Sequence, residues 1–108
     1  MNRNLLLIAA TAAMLPLCAF AQVNGDATQA FKAADQKMME AMHGMQMTGN
    51  PDKDFAAMMI PHHQGAIDMA KVELQYGKDP ILRAMAEAII KAQEQELTEL
   101  KGWQATQP

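Results

Sequence analysis

Past residue 26 the apolar positions of this 108-residue chain recur every three or four residues, and no stretch alternates with a period of two. That spacing predicts helices and no strands. The first helix is predicted over about 27–43, with Asp26 or Thr28 as its N-cap. Its apolar stripe is Ala27, Phe31, Ala34, Met38, Met42 and Met45, and Gly44 followed by Thr48-Gly49-Asn50 ends it. The second helix opens on Asn50 as cap and Pro51 as first helical residue, with Asp52 and Asp54 complementing the positive end of its dipole. It runs to about Tyr76. Pro61 lies inside it, so a kink or break near 57–60 is expected. In the link Gly77-Lys78-Asp79-Pro80, Gly77 suits a left-handed helix end, Asp79 a cap and Pro80 a first turn. So short a link favours antiparallel neighbours. The third helix is predicted over about 80–103, with a stripe of Leu82, Met85, Ala86, Ile89, Leu97, Leu100 and Trp103. The expected fold is all-α: an antiparallel helical bundle of three long helices, closed by the three alone or completed by a second chain.

The second helix carries the candidate chemistry. At 100° per residue, Phe55, Met58, His62, Ala66, Met69, Glu73 and Tyr76 fall in one narrow stripe. Met59, His63, Ile67, Ala70 and Leu74 broaden it, while Lys53, Gln64, Asp68, Lys71 and Gln75 lie opposite. Both histidines are therefore expected on or beside the buried face. Met58 precedes His62 by four residues, Met59 precedes His63 by four, and Met69 follows His62 by seven, so all project toward one region. Imidazole nitrogen together with thioether sulfur suits a soft monovalent ion, Cu(I) above all. On the third helix Gln93 and Glu96 interrupt the apolar stripe. Buried polar groups need partners, and Gln93 lies about as far after the turn as His62 and His63 lie before it. Gln93 or Glu96 is thus expected to orient the ring of His62 or His63 while the other ring nitrogen meets the metal. The rival reading is a purely structural histidine pair bonded to the same two residues. A second cluster ends the first helix. Met39 and His43 stand four apart, and Met45 and Met47 follow near Gly44. His43, Met45 and Met47 fit a labile soft-metal site as well as they fit ordinary packing.

Composition sharpens this picture at three points. Methionine is abundant, with 11 in the chain, while aromatics make up 5%; some thioethers must serve as flexible core filling. The formal charge is −3 and no block of Lys or Arg occurs, which argues against nucleic acid and anionic membranes as partners. At the N-terminus, Arg3, the apolar run Leu5 to Leu17 and Ala19-Phe20-Ala21 read as a signal peptide over 1–21, cleaved between Ala21 and Gln22. The apolar run is too short for a stable membrane span. Cys18, the lone cysteine, follows Leu17 rather than a small residue, so cleavage is favoured over lipid anchoring. The mature domain, 22–108, then has neither disulfide nor thiolate. At about 87 residues it is near the lower limit for a self-sufficient core.

Enzyme chemistries fit poorly. Glu40-Ala41-Met42-His43 is a single Glu-x-x-His, where a di-iron bundle uses two such motifs and two further glutamates. There is no His-Glu-x-x-His, no phosphate-binding glycine loop and no Gly-x-Ser-x-Gly elbow.

The segment Phe55-Ala56-Ala57-Met58-Met59-Ile60-Pro61-His62-His63-Gln64-Gly65-Ala66-Ile67-Asp68-Met69-Ala70 resembles the signature of the CopM-like family of exported bacterial proteins. Ile89 to Leu97, followed by Trp103, is similar to that family's C-terminal helix. The resemblance extends from about Met38 to Trp103. It implies a ferritin-like helical bundle and periplasmic copper binding, as a metallochaperone or sink in copper homeostasis and resistance. It points to His62, His63, Met59 and Met69, with Gln93 and Glu96 as accompanying polar positions. Many relatives carry methionine where this chain has Leu100, which implies one ligand fewer here.

The sequence thus leads to an exported Cu(I)-binding protein without enzymatic activity, with Ag(I) as competitor and other periplasmic copper-handling proteins, or a second copy, as partners. The alternative is a helical interaction module with structural histidines and no metal. A carboxylate-bridged iron enzyme is the weakest of the three.

Overall fold

The computed structural model describes residues 17–108, with side chains over 24–108. Of the expected leader, 1–21, residues 1–16 lie outside the described residues, and 17–21, with Cys18, are described only as helical backbone. Three helices follow one another: α1 (Leu17–His43), α2 (Pro51–Tyr76) and α3 (Pro80–Ala105). No strand occurs among the described residues, so the fold is all-α.

The caps of α2 and α3 form as their local chemistry dictates. Asn50 Oδ1 accepts from the backbone N–H of Asp52 (3.0 Å) and Lys53 (3.2 Å), and Pro51 opens the helix. Asp79 Oδ1 does the same for Ile81 (2.9 Å) and Leu82 (3.0 Å) ahead of α3. The carbonyls left over at the end of α2 are met by Arg83, whose Nη1 donates to Leu74 O (2.8 Å) and Gly77 O (2.9 Å).

Three local expectations are corrected. First, α1 does not start at Asp26 or Thr28. The Thr28 hydroxyl donates to the Asn24 carbonyl at 2.9 Å, a bond to the preceding turn that lets threonine sit inside a helix. Second, α2 runs unbroken through Pro61. Proline removes one N–H from the ladder, and the helix continues past it, so the expected break is absent. Third, Gly77 is extended (φ −71, ψ 150) rather than left-handed. What demands glycine there is room: a Cβ would stand 2.7 Å from the Glu73 carbonyl oxygen and collide with the Glu73 carboxylate. The left-handed residue is Gly49 (φ 82), in the connection ahead of α2.

Helix α2 packs against both α1 and α3, but α1 and α3 do not touch each other. The chain is therefore an open layer of helices and does not close a three-helix core by itself. Its buried apolar residues are small or medium: Ala34, Ala56, Ile67, Ala70, Val72, Ala86 and Leu97. Gly65 marks the closest approach of α1, since a Cβ there would come within 2.5 Å of Met38 Sδ.

This arrangement corrects the expected buried stripe of α2. Gly65 faces α1 and His63 faces α3, about 160° apart around a helix that turns 100° per residue. Between them lie Met58, Met69, His62, Phe55, Glu73 and Ala66. Neither neighbour covers that arc fully: Phe55 is 61% exposed and His62 is exposed as well. A stripe is buried only where neighbouring helices converge on it. Here they flank it.

Candidate functional site

His63 sits at the α2–α3 contact, its side chain only 12% exposed. Its Nδ1 lies 2.9 Å from the Met59 carbonyl oxygen, and its Nε2 lies 2.5 Å from Glu96 Oε2. A carbonyl can only accept, so Nδ1 carries a proton and donates. An ionised Glu96 also only accepts, so the two contacts together call for a doubly protonated ring, or for one proton shared between Nε2 and the carboxylate. Of the two polar residues expected beside the histidines, Glu96 is the one that reaches a ring, and the ring is that of His63. The second nitrogen of His63 is not left open, because the α2 backbone takes it. Gln93 reaches neither ring: its Oε1 is buried with no hydrogen-bond partner.

His62 is placed differently. Its ring stands edge-on to that of His63, with centroids 6.1 Å apart. Its nitrogens make no hydrogen bond among the described residues, and it projects from the open arc. Around the helix it lies about 40° from Met58 and about 20° from Met69. Along the axis Met69 is about 10 Å away, and side chains on a helix lean toward its N-terminus, so the Met69 thioether leans toward His62. Both methionines are half-buried.

Two grooves flank this pair along the α2–α3 seam. One, of about 330 Å³, is lined by Phe55, Met59, His63, Glu96, Glu99, Leu100 and Trp103. The other, of about 340 Å³, includes Ala66, Met69, Leu82, Met85 and Ile89. The structure thus groups Met59 with His63, and Met69 with Met85. Leu100 lines the His63 groove, beside the histidine segment. Met85, expected in the apolar stripe of the third helix, is 54% exposed in the Met69 groove. The available signal was the short turn, which lays the start of α3 beside the end of α2.

His43, Met45 and Met47 stand at the end of α1 and in the connection after it. His43 is exposed, Met45 half-buried and Met47 63% exposed. The connection is fastened by Asp54, whose carboxylate accepts from the backbone N–H and hydroxyl of Thr48 (both 2.8 Å) and from the Gly49 N–H (3.1 Å). These bonds, the Thr48 backbone donor first, hold the Asp54 carboxyl below its ordinary value of 3.8.

Among the described residues no three His, Cys, Asp or Glu side chains converge as metal ligands would. The other soft donors beside the histidines are the thioethers of Met58, Met59 and Met69, the donor type that a soft ion prefers. The family model of a domain of unknown function, DUF305, matches residues 12–104. No curated protein matches the chain.

Proposed function

We propose that this chain, which belongs to the DUF305 family, is an exported Cu(I) carrier or sink of the CopM-like kind. It would serve copper homeostasis and resistance in the periplasm rather than catalyse a reaction. The observation that carries this reading is His62: an imidazole without a hydrogen bond, standing on an open helix arc between two thioethers, Met58 and Met69. One imidazole and two thioethers make a soft, low-coordinate donor set that takes Cu(I) and releases it readily. His63 and Met59 would join as a second pair once a metal displaces Glu96 from Nε2. Glu96 then acts as a competitor for that nitrogen. His43, Met45 and Met47 would form a separate, more accessible soft site at the helix end. Ag(I) should compete at all of these. Thioethers survive an oxidising compartment better than thiolates as soft donors, although they are open to sulfoxide formation.

His63 also favours a second reading, because both its nitrogens already have protein partners. In that reading the pair is structural and the chain is an interaction module. Anaerobic titration of the purified protein with Cu(I) against a chromophoric chelator separates the two. The wild type should compete for copper, and the His62→Ala/His63→Ala double variant should lose that competition while keeping its circular dichroism. If the wild type does not compete, or the folded variant binds equally well, the copper reading of the histidine pair fails.

A further inference from the structure

Among the described residues, five of the eight exposed large apolar side chains lie on one side of the helical layer. Phe55 projects from the open arc of α2, and Trp103 lines the same groove from α3. Leu82 and Met85 line the neighbouring groove, again from α3. On α1, Lys37 pairs with Asp68 at 3.6 Å and so marks the opposite side of the layer. Met39 stands about 160° from Lys37 around α1, which turns it toward the open side. These five residues are between 38% and 61% exposed. The reverse side is polar: beside the Lys37–Asp68 pair it carries Gln64, whose amide donates to Asp68 Oδ1 at 3.0 Å.

We infer that this face is covered by a second copy of the chain, packed face to face about a two-fold axis. Three observations select that occupant. The core is thin, since its buried apolar residues are small or medium, no large side chain among the described residues is fully buried, and α1 and α3 never meet; a small domain gains by further burial. A second copy brings the complementary apolar face that would turn the open layer into a two-layer bundle. The area also fits. Helices α2 and α3 have 26 residues each, about 39 Å in length, and together are about 20 Å wide. That face is about 800 Å², the share each partner contributes to a standard stable interface. Finally, Ala66, small and on the open arc, leaves room for a close crossing at the two-fold axis.

The test is the mass of the purified protein by sedimentation from micromolar to millimolar concentration, with chelator present so that copper plays no part. The wild type should show the mass of two chains. Leu82→Lys/Met85→Lys should show the mass of one with its helix content retained, and Lys71→Glu, on the opposite face, should remain at two. A single-chain mass for the wild type throughout, or dissociation by Lys71→Glu and not by the groove variant, would overturn the inference. Should the lysine variant fail to fold, Ala66→Cys decides. Its maleimide labelling, located by peptide mass, should be slow in concentrated and fast in dilute protein, whereas Lys71→Cys should label at one rate. Equal behaviour of the two thiols would also overturn it.

Discussion

Gly65 lies within the histidine segment, and its role here is spacing between helices. Replacing it with alanine sets two effects against each other. In a helix interior, alanine is favoured over glycine by about 1 kcal/mol. At this position, however, the new methyl would lie 2.5 Å from Met38 Sδ, 2.9 Å from its Cγ and 3.0 Å from its Cβ. The last of these cannot be relieved by rotating the end of the side chain, so α1 must shift. Overpacking of this kind costs about 1–3 kcal/mol. The expected outcome for Gly65→Ala is therefore a net loss of about 1 kcal/mol. In a Met38→Ala background the Sδ and Cγ contacts are gone and only the Cβ contact remains. There the same substitution should be close to neutral or stabilising. The cycle of four proteins, unfolded in urea and followed by far-ultraviolet circular dichroism, should give a coupling of about 1 kcal/mol or more between the two positions. If Gly65→Ala instead stabilised the wild type by the full propensity gain, with no coupling to Met38, α1 would not cross α2 at this point.

Other consequences are open to simpler measurement. The Asp54 carboxyl, held below 3.8 by Thr48 and Gly49, stabilises the folded chain above that pH, and the contribution is lost as pH falls through its lower folded value; an NMR titration placing its midpoint at or above the ordinary value would contradict this. Asp79→Ala removes an acceptor for two backbone N–H groups and should lower stability by about 1 kcal/mol in urea unfolding. Glu96→Gln should change stability by less than about 1 kcal/mol, since the carboxylate side chain is 56% exposed, yet it should strengthen Cu(I) competition by relieving the claim on His63 Nε2. Weaker copper binding by the folded variant would show that Glu96 assists the metal.

What could be read from the sequence was what is local. Asn50-Pro51 and Asp79-Pro80 specify helix starts by side-chain acceptors and fixed backbone angles, and both operate as written. The hairpin register was legible to about one helical turn: equal offsets from the short turn favour Gln93, whereas Glu96, three residues further on, is the one that meets His63. The cap expected at Thr28 and the break expected at Pro61 do not occur because each residue can be accommodated inside a helix, Thr28 by a hydroxyl bond to the preceding turn and Pro61 by the loss of one rung. The larger miss concerns the face of α2. A helical wheel shows which residues share an arc but not how many helices will press upon it. With α1 and α3 on nearly opposite sides, the arc of Phe55, His62 and Met69 was left open. Gln93 follows the same logic, since its polar position was legible but the lack of a partner for its Oε1 depends on where the rings finally turn.

Because α1 touches only α2, it can leave without disturbing the α2–α3 seam. The hairpin has a short turn, braced by Arg83, and its contacts are close in sequence, so it can form early and persist late. Amide exchange should therefore proceed inward from one edge: α1 opens first, while the α2 amides beside α3 wait for the whole chain to unfold. Each such opening would also bare the flank of α2 at Gly65, three residues from His62, so the histidine segment has a side that is hidden at rest and exposed only in passing.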